Sequence, residues 1–190
     1  YSWDTIKGYS RNKWCDREGI DTYLKNYDSE FFTILDQCPV IYKIDFVRYL
    51  IARDIGGIIC DMDFEVYNDF TYQLDSHSIY LLESSAGDED YQNGFIISPP
   101  SELWNIFLDT LKVDIKANLP DILNRKEIKD KPLGTFVREV VGPIALSRFI
   151  KNNNIPHKVL PFAQFNPVGK FNFDFIQTYH YGTGNWGGGL

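Results

Sequence analysis

The apolar and polar positions between residues 40 and 67 predict a helix, a sharp break and a short buried strand. One apolar face of a helix over 40–55 is formed at helical spacing by Ile44, Val47, Ile51 and Ile55. The positions beside or opposite that face are Asp45, Arg48, Tyr49 and Ala52. Gly56 and Gly57 predict the end of the helix, because glycine readily adopts the left-handed conformation that follows a last helical turn. The apolar run that follows predicts a strand over 58–61 and an edge segment over 64–67.

The rest of the chain predicts a mixed order of helices and strands. Short helices are expected within 21–36, buried strands over 78–84 and 94–98, and helices over 101–115 and 143–151. After Ser101 as N-cap, the apolar face of the helix over 101–115 is predicted from Leu103, Ile106, Phe107, Thr110 and Leu111. Residues 118–135 are charged and contain two prolines, which predicts a surface excursion. The tail from 178 predicts a strand that runs into a glycine-rich end.

These elements predict an α/β fold in which a central, mostly parallel mixed sheet is flanked by helices. Strands that alternate with helices favour parallel pairing, and the functional site is then expected at the carboxyl ends of the strands. With 190 residues and no internal repeat or compositional break, the chain fits one domain that spans residues 1–190.

The net charge of −7 argues against nucleic acid or an anionic membrane surface as a partner, because both bind clustered Lys and Arg. No apolar run is long enough to predict a membrane span. Three cysteines cannot all pair, which favours a reducing compartment. We therefore expect a monomer in the cytoplasm, which for a viral protein would be the cytoplasm of the host.

Asp61 and Asp63 are the strongest candidates for chemistry. Side chains two residues apart in an extended segment point the same way, so both carboxylates would face one point while Met62 turns toward the protein. Converging carboxylates suit Mg²⁺ or Mn²⁺, particularly where a phosphate completes the coordination. The alternative is a strand-end turn in which the aspartates cap backbone amides. A second acidic run at 88–90 follows a small, polar stretch and predicts a solvated loop.

These motifs resemble the DxD-containing glycosyltransferases, a family that includes the yeast initiating mannosyltransferases and the glucosylating domains of large clostridial toxins. The family pattern of an Asp-x-x-Arg-Tyr helix, Gly-Gly, an apolar strand and Asp-x-Asp is matched by Asp45, Arg48, Tyr49, Gly56, Gly57, Asp61 and Asp63. Further matches in the family's order are Trp14, Asn93 with Gly94, the run 141–146, and His180 followed by Asn185 and Trp186. The resemblance covers nearly the whole chain and implies the GT-A arrangement, a nucleotide-binding α/β sheet.

The resemblance implies a retaining, metal-dependent enzyme that moves a hexose from a nucleotide diphosphate sugar to a glycan or glycoprotein acceptor, with Mn²⁺ or Mg²⁺ as cofactor. The toxin-like relatives favour a UDP-hexose such as UDP-glucose, whereas the mannosyltransferases favour GDP-mannose. Donor contacts are implied for Asp45, Arg48, Tyr49, Asp61, Asn93, Asn185 and Trp186. The implied metal ligands are Asp61, Asp63 and His180. His180 could instead contact the diphosphate or bond to the backbone of its strand, and an inverting enzyme would need a general base such as Asp88, Glu89 or Asp90.

Two departures from the family pattern affect these expectations. Family members usually open with a strand that ends in His-Gln-x-Trp and packs on the nucleotide base, and none precedes Trp3. We therefore expect this first nucleotide-binding strand to be missing upstream, or the base pocket to be unusual. Asn185 also stands where relatives often carry serine, which affects how Trp186 would close over the diphosphate.

Two other functions stay open. A phosphatase of the haloacid dehalogenase type would use Asp61 as nucleophile and Asp63 as general acid. It would also need a lysine and a later acidic pair, and it would leave Asp45 and Arg48 without a role. A non-catalytic module that binds sugar nucleotides or glycans would fit the missing first strand. The two remaining histidines, His77 and His157, are predicted to lie on the surface.

Overall fold

The fold was analysed in a computed structural model that describes residues 17–84, 90–124, 133–168 and 174–181, together with Trp3, Ile6 and Asn172. Its helices are α1 (Arg17–Tyr27), α2 (Ser29–Leu35), α3 (Val40–Asp54), α4 (Leu103–Asn124), α5 (Leu133–Val140), α6 (Pro143–Asn152) and α7 (Phe162–Phe165). Its strands are β1 (Gly57–Cys60), β2 (Phe64–Val66), β3 (Tyr80–Glu83), β4 (Tyr91–Ser98), β5 (Lys158–Leu160) and β6 (Thr178–His180). A short 3₁₀ helix spans Thr71–Gln73. None of the described helices is long and apolar enough to cross a membrane.

The predicted mixed sheet is present, but its pairing among the described residues is mostly antiparallel. The strand order is β1-β4-β3-β5, and β2 pairs with β6 in a separate two-stranded ribbon. β4 is antiparallel to both β1 and β3, and β3 and β5 form a parallel pair. The expectation of mostly parallel pairing was wrong because β3 and β4 are joined by a short connection, which suits an antiparallel hairpin. The helical crossover α4–α6 leads instead from β4 to β5.

Alternate residues of the sheet contribute to two cores. Leu81 and Ile96 join the main core with helices α1 to α6, while Leu82 and Phe95 join a second core beneath the β2–β6 ribbon. This alternation follows from the two-residue period of a strand, which sends neighbouring side chains to opposite faces. The sheet is therefore covered on both sides, as predicted.

Helix α3 is buried on more sides than a single apolar stripe predicts. It packs against α1, α4 and the sheet, so Asp45, Arg48 and Tyr49 are buried, although the sequence placed them beside or opposite the apolar face. Ile55, assigned to that face, lies at the C-cap and is exposed. A helical wheel shows one apolar stripe, and it cannot show that a second layer covers the opposite side.

The double-glycine break is confirmed. Helix α3 ends at Asp54, and Gly56 and Gly57 both have positive φ angles, of 66° and 99°. A Cβ atom at Gly56 would lie 2.6 Å from the backbone oxygen of Ser98 and the nitrogen of Pro100. Glycine at 56 is therefore required both by its left-handed backbone and by the close approach of the end of β4.

Helix α4 differs from its prediction in length and in orientation. Its buried face consists of Trp104, Phe107, Leu108, Leu111, Ile115 and Ile122. Ile106 is 57% exposed, so the face is shifted from the predicted one, because Trp104 is drawn inward and donates its Nε1 proton to Ser98 Oγ at 2.9 Å. The helix continues through Pro120 to Asn124, and α5 begins at Leu133, so the predicted excursion over 118–135 was wrong at both ends. Burial of Ile122 keeps the last turns of α4 against the core.

Candidate metal and donor site

Asp61 and Asp63 converge through a turn, not through an extended segment. Strand β1 ends at Cys60, and the amide of Phe64 donates to the carbonyl of Asp61 at 3.3 Å, which closes a tight turn. Met62 sits at the tip of that turn with 77% of its surface exposed. The predictions that Met62 points inward and that β1 is buried were therefore wrong. Strand β1 is half-buried and lies at one edge of the described sheet.

His180 reaches the same point from the far end of the chain. In the β2–β6 ribbon it pairs with Phe64, and the two rings stack at 4.3 Å with nearly parallel planes. Its Nε2 atom lies 2.9 Å from Asp63 Oδ1. One ligand atom from each of Asp61, Asp63 and His180 lies within 4.8 Å of the other two. Two carboxylates and an imidazole at this spacing fit a divalent cation such as Mn²⁺ after small side-chain adjustments.

Arg48 lies behind this group and connects it to helix α3. Its buried guanidinium contacts Asp61 Oδ1, donates to the carbonyl of Asn93, and lies 3.7 Å from Asp45 Oδ1. Burial opposes the charge of Arg48, but Asp61 and Asp45 more than offset this and hold its pKa above the usual value. Burial also raises the pKa of Asp45 to about 7, against the opposing effect of Arg48. The base of the site is thus a buried cation between two carboxyl groups.

Two buried polar atoms beside Arg48 lack a hydrogen bond of ordinary geometry among the described residues, although the Asn93 side chain lies close enough to Asp45 to lower its pKa. Asp45 Oδ2 and Asn93 Nδ2 are buried and form no hydrogen bond with the described residues. An unsatisfied buried polar group costs about 1–3 kcal/mol, so such atoms are uncommon in a finished core. One acceptor and one donor at the base of an acidic site could bind sugar hydroxyls. The fit of these residues to a polar ligand therefore rests on these two atoms as well as on Asp61, Asp63 and His180, which could hold a metal ion.

Gly94 makes room for Asp61. A Cβ atom on Gly94 would lie 2.7 Å from Asp61 Oδ2, and the backbone of Gly94 accepts a hydrogen bond from the Asp61 amide at 2.9 Å. The sequence named Gly94 only as part of the family pattern and gave it no role. A glycine inside a strand is itself a signal of close approach, and here the approaching group is a carboxylate.

The other predicted site residues lie outside this cluster. Tyr49 is fully buried, donates its hydroxyl proton to the carbonyl of Val141 at 3.2 Å, and stacks on Trp104. It presents no surface to a donor in this arrangement. Asp90 is half-exposed and lies 3.1 Å from Lys151 on α6. It precedes Gly94 by four residues, about 13 Å along a strand, so it is separated from Asp61, Asp63 and His180.

Several predicted residues cannot be placed. Outside the described residues lie Trp14, Asp88, Glu89, Asn185 and Trp186. Of the other histidines, His77 is exposed as predicted. His157 is half-buried, and its Nε2 atom lies 2.7 Å from the hydroxyl of Tyr91, so the surface prediction was wrong for it.

Comparisons with known proteins add a distant structural similarity. No model of a known protein family matches the chain, and no curated protein matches it either. Among solved structures, the ligand-free glycosyltransferase domain of the YGT toxin matches with a TM-score of 0.49 and 10% sequence identity. The match covers 73% of this chain and 50% of that one, so this chain spans about half the length of the toxin domain. The GT-A arrangement stays a prediction.

Proposed function

We propose that this protein is a metal-dependent glycosyltransferase that moves a hexose from a UDP-sugar, UDP-glucose first, to a glycan or glycoprotein acceptor with retention of configuration. The observation that supports this most directly is the convergence of Asp61, Asp63 and His180 within 4.8 Å. These three side chains would hold Mn²⁺ or Mg²⁺. A divalent ion there would stabilise the charge that develops on the diphosphate as its bond to the sugar breaks.

The charge of the protein explains why the site would need a cation. A net charge of −7 and two carboxylates at the site should repel a nucleotide diphosphate. Among the described residues, Arg48 is the cation in contact with the group, and its side chain is buried next to Asp61. Arg48 offsets the charge of Asp61 from the buried side, and the carboxylate of Asp63 keeps the exposed side of the turn acidic.

Asp61, Asp63 and His180 form what we call the metal-ligating group. The residues behind this group suit the sugar part of a donor. Asp45 Oδ2 could accept and Asn93 Nδ2 could donate a hydrogen bond to neighbouring hydroxyl groups. Arg48 fixes both residues, because its guanidinium contacts the Asn93 backbone and lies one helical turn from Asp45. We propose that these three residues orient the hexose while Asp61 and Asp63 face the diphosphate.

Calorimetric titration with UDP, GDP and CMP, each with Mn²⁺ and with chelator, tests the donor and the metal together. We expect UDP to bind only with the ion. Tight binding of GDP without binding of UDP would refute the donor assignment, and UDP binding that chelator leaves unchanged would refute the metal requirement.

The two alternatives predict different chemistry. A phosphatase would form a covalent aspartyl intermediate, so trapping of Asp61 by a phosphate mimic would support it. A binding module would bind the nucleotide sugar without releasing UDP. We expect no trapping and a metal-dependent release of UDP from UDP-glucose.

A further inference from the structure

The outer face of the β2–β6 ribbon is lined by tyrosines around one carboxylate. Phe64, Val66 and Thr178 point into the second core and are buried. The two-residue period of the strands then places four side chains on the opposite face. This tyrosine face consists of Glu65, Tyr67, Tyr179 and Tyr181. It belongs to the same ribbon that supplies His180.

Contacts within the tyrosine face fix the carboxylate and leave part of it available. The hydroxyls of Tyr67 and Tyr181 both donate to Glu65 Oε2, the first at 2.7 Å. Glu65 Oε1 accepts no hydrogen bond from a described residue. The face therefore offers an anionic acceptor held between phenol rings.

The tyrosine face begins beside the metal-ligating group. The amide of Tyr181 donates to the carbonyl of Asp63 at 3.0 Å, and Tyr181 follows His180 directly. Tyr181 is 55% exposed, and its ring meets that of Tyr179 edge-on at 5.0 Å. A molecule lying on these rings would be adjacent to a donor whose diphosphate faces Asp61 and Asp63.

We propose that the tyrosine face is the acceptor subsite and that it binds a neutral pyranose ring. This rests on the proposed function, because an acceptor is needed only if the protein transfers a sugar. Tyrosine rings present a large apolar surface with a polar edge, which suits the C–H face and hydroxyl rim of a sugar. Glu65 Oε1 would accept a hydrogen bond from a sugar hydroxyl. An anionic acceptor is disfavoured by Glu65 and by the net charge of −7.

NMR titration of isotope-labelled protein with the methyl glycosides of glucose, mannose and galactose, without nucleotide or metal, tests the inference. We expect at least one glycoside to shift the amides of 65–67 and 179–181. Tyr181→Ala should weaken that binding about tenfold through lost ring contact. Glu65→Gln, which keeps the side-chain shape, should weaken it as well. Tyr72→Ala is the matched control, because Tyr72 is 79% exposed and lies in the Thr71–Gln73 helix.

The glycoside titration tests the acceptor subsite independently of the donor titration, because it contains no nucleotide. Glycoside binding at this face without metal-dependent UDP binding would support a sugar-binding face and refute the transferase. UDP binding without glycoside binding would refute the subsite alone. Equal glycoside binding by Tyr181→Ala and Tyr72→Ala would also refute it, as would equal binding of glucose 6-phosphate and methyl glucoside.

Discussion

Helix α3 carries two buried cations, Lys43 and Arg48, and each lies between acidic residues. The two groups differ in whether their polar atoms are all paired. Lys43 bonds Asp21 at 2.8 Å and Asp36 at 2.5 Å, and its ammonium lies 5.1 Å from the ring centre of Phe32. Both acids reach solvent, and together they join α3 to α1 and to the end of α2. Burial opposes the charge of Lys43, but the two acids raise its pKa above the usual value. We call this group the lysine cluster.

The arginine cluster, formed by Asp45, Arg48, Asp61 and Asn93, differs in what it leaves unsatisfied. Asp45 is buried beside Arg48, and two of the cluster's polar atoms have no hydrogen bond of ordinary geometry within the described part of the chain. Buried charges that are fully paired support a fold, whereas unpartnered polar atoms beside an accessible carboxylate suit a ligand. The comparison teaches that a buried ion pair is not in itself a sign of function. The following variants test this contrast, beginning with the largest expected effect.

Asp63→Asn should lower transferase turnover about 10²–10³-fold, because it removes one of the charged ligands at the metal-ligating group. The matched control is Asp109→Asn, since Asp109 has a side chain that is 74% exposed on α4. We expect both variants to unfold within about 0.5 kcal/mol of the parent protein. Full activity of Asp63→Asn in a UDP-release assay would remove Asp63 from the proposed site.

Lys43→Met should reduce the free energy of unfolding by roughly 2 kcal/mol, because it leaves Asp21 and Asp36 without their shared cation. The loss is smaller than for a fully enclosed pair, since Asp36 is half-exposed. Urea unfolding measures this change. Donor affinity at a temperature where the variant is folded should match that of the parent, and a loss of donor binding would give the lysine cluster a functional role.

Arg48→Ala should weaken UDP-glucose binding about tenfold, because charge-assisted hydrogen bonds that fix the base of the site are lost. Arg53→Ala is the control from the same helix. The side chain of Arg53 pairs with Asp54 and lies over the ring of Tyr27. Calorimetry on both folded variants should separate them. Equal donor affinities would refute the role assigned to the arginine cluster.

Asp45→Asn should change how stability depends on pH. Since burial raises the pKa of Asp45 to about 7, the folded state holds this proton more tightly than the unfolded state does. The parent protein therefore loses stability from this group as the pH rises from about 4 to about 7. The groups that face Asp45 are Arg48, Asp61 and Asn93. We expect the variant to gain up to about 4 kcal/mol relative to the parent across that range, measured by urea unfolding. A constant difference at all pH values would contradict the raised pKa.

Local sequence patterns located the acidic residues of the candidate site. They did not predict the turn that holds those residues or the burial of the side chains behind them. The Gly-Gly break and the acids at the end of β1 depend on neighbouring residues, so the sequence located Asp61 and Asp63 correctly on that strand end. The turn that exposes Met62 was missed, because an alternating pattern does not show where a strand stops. The burial of Asp45 was missed as well, since it depends on a sheet that is formed largely by residues beyond position 57.

The fold itself was predicted less fully where distant segments meet. The mixed α/β order followed from periodicity, but strand pairing is a long-range property, and the antiparallel partners of β4 could not be derived from the spacing of elements. The orientation of α4 buries Trp104, whose Nε1 donates to Ser98 Oγ on the neighbouring strand, and helical periodicity does not contain that contact.

Gly94 has a consequence for the mutational tolerance of this protein. Its α-hydrogen faces the carboxylate of Asp61, and the space there is too small for even a methyl group. In a library that samples every amino acid at every position, position 94 should therefore accept glycine alone if selection is for activity. Gly94→Ala would retain every polar side chain of the site and still displace the Asp61 carboxylate, so its loss of function could be assigned to geometry and not to missing chemistry.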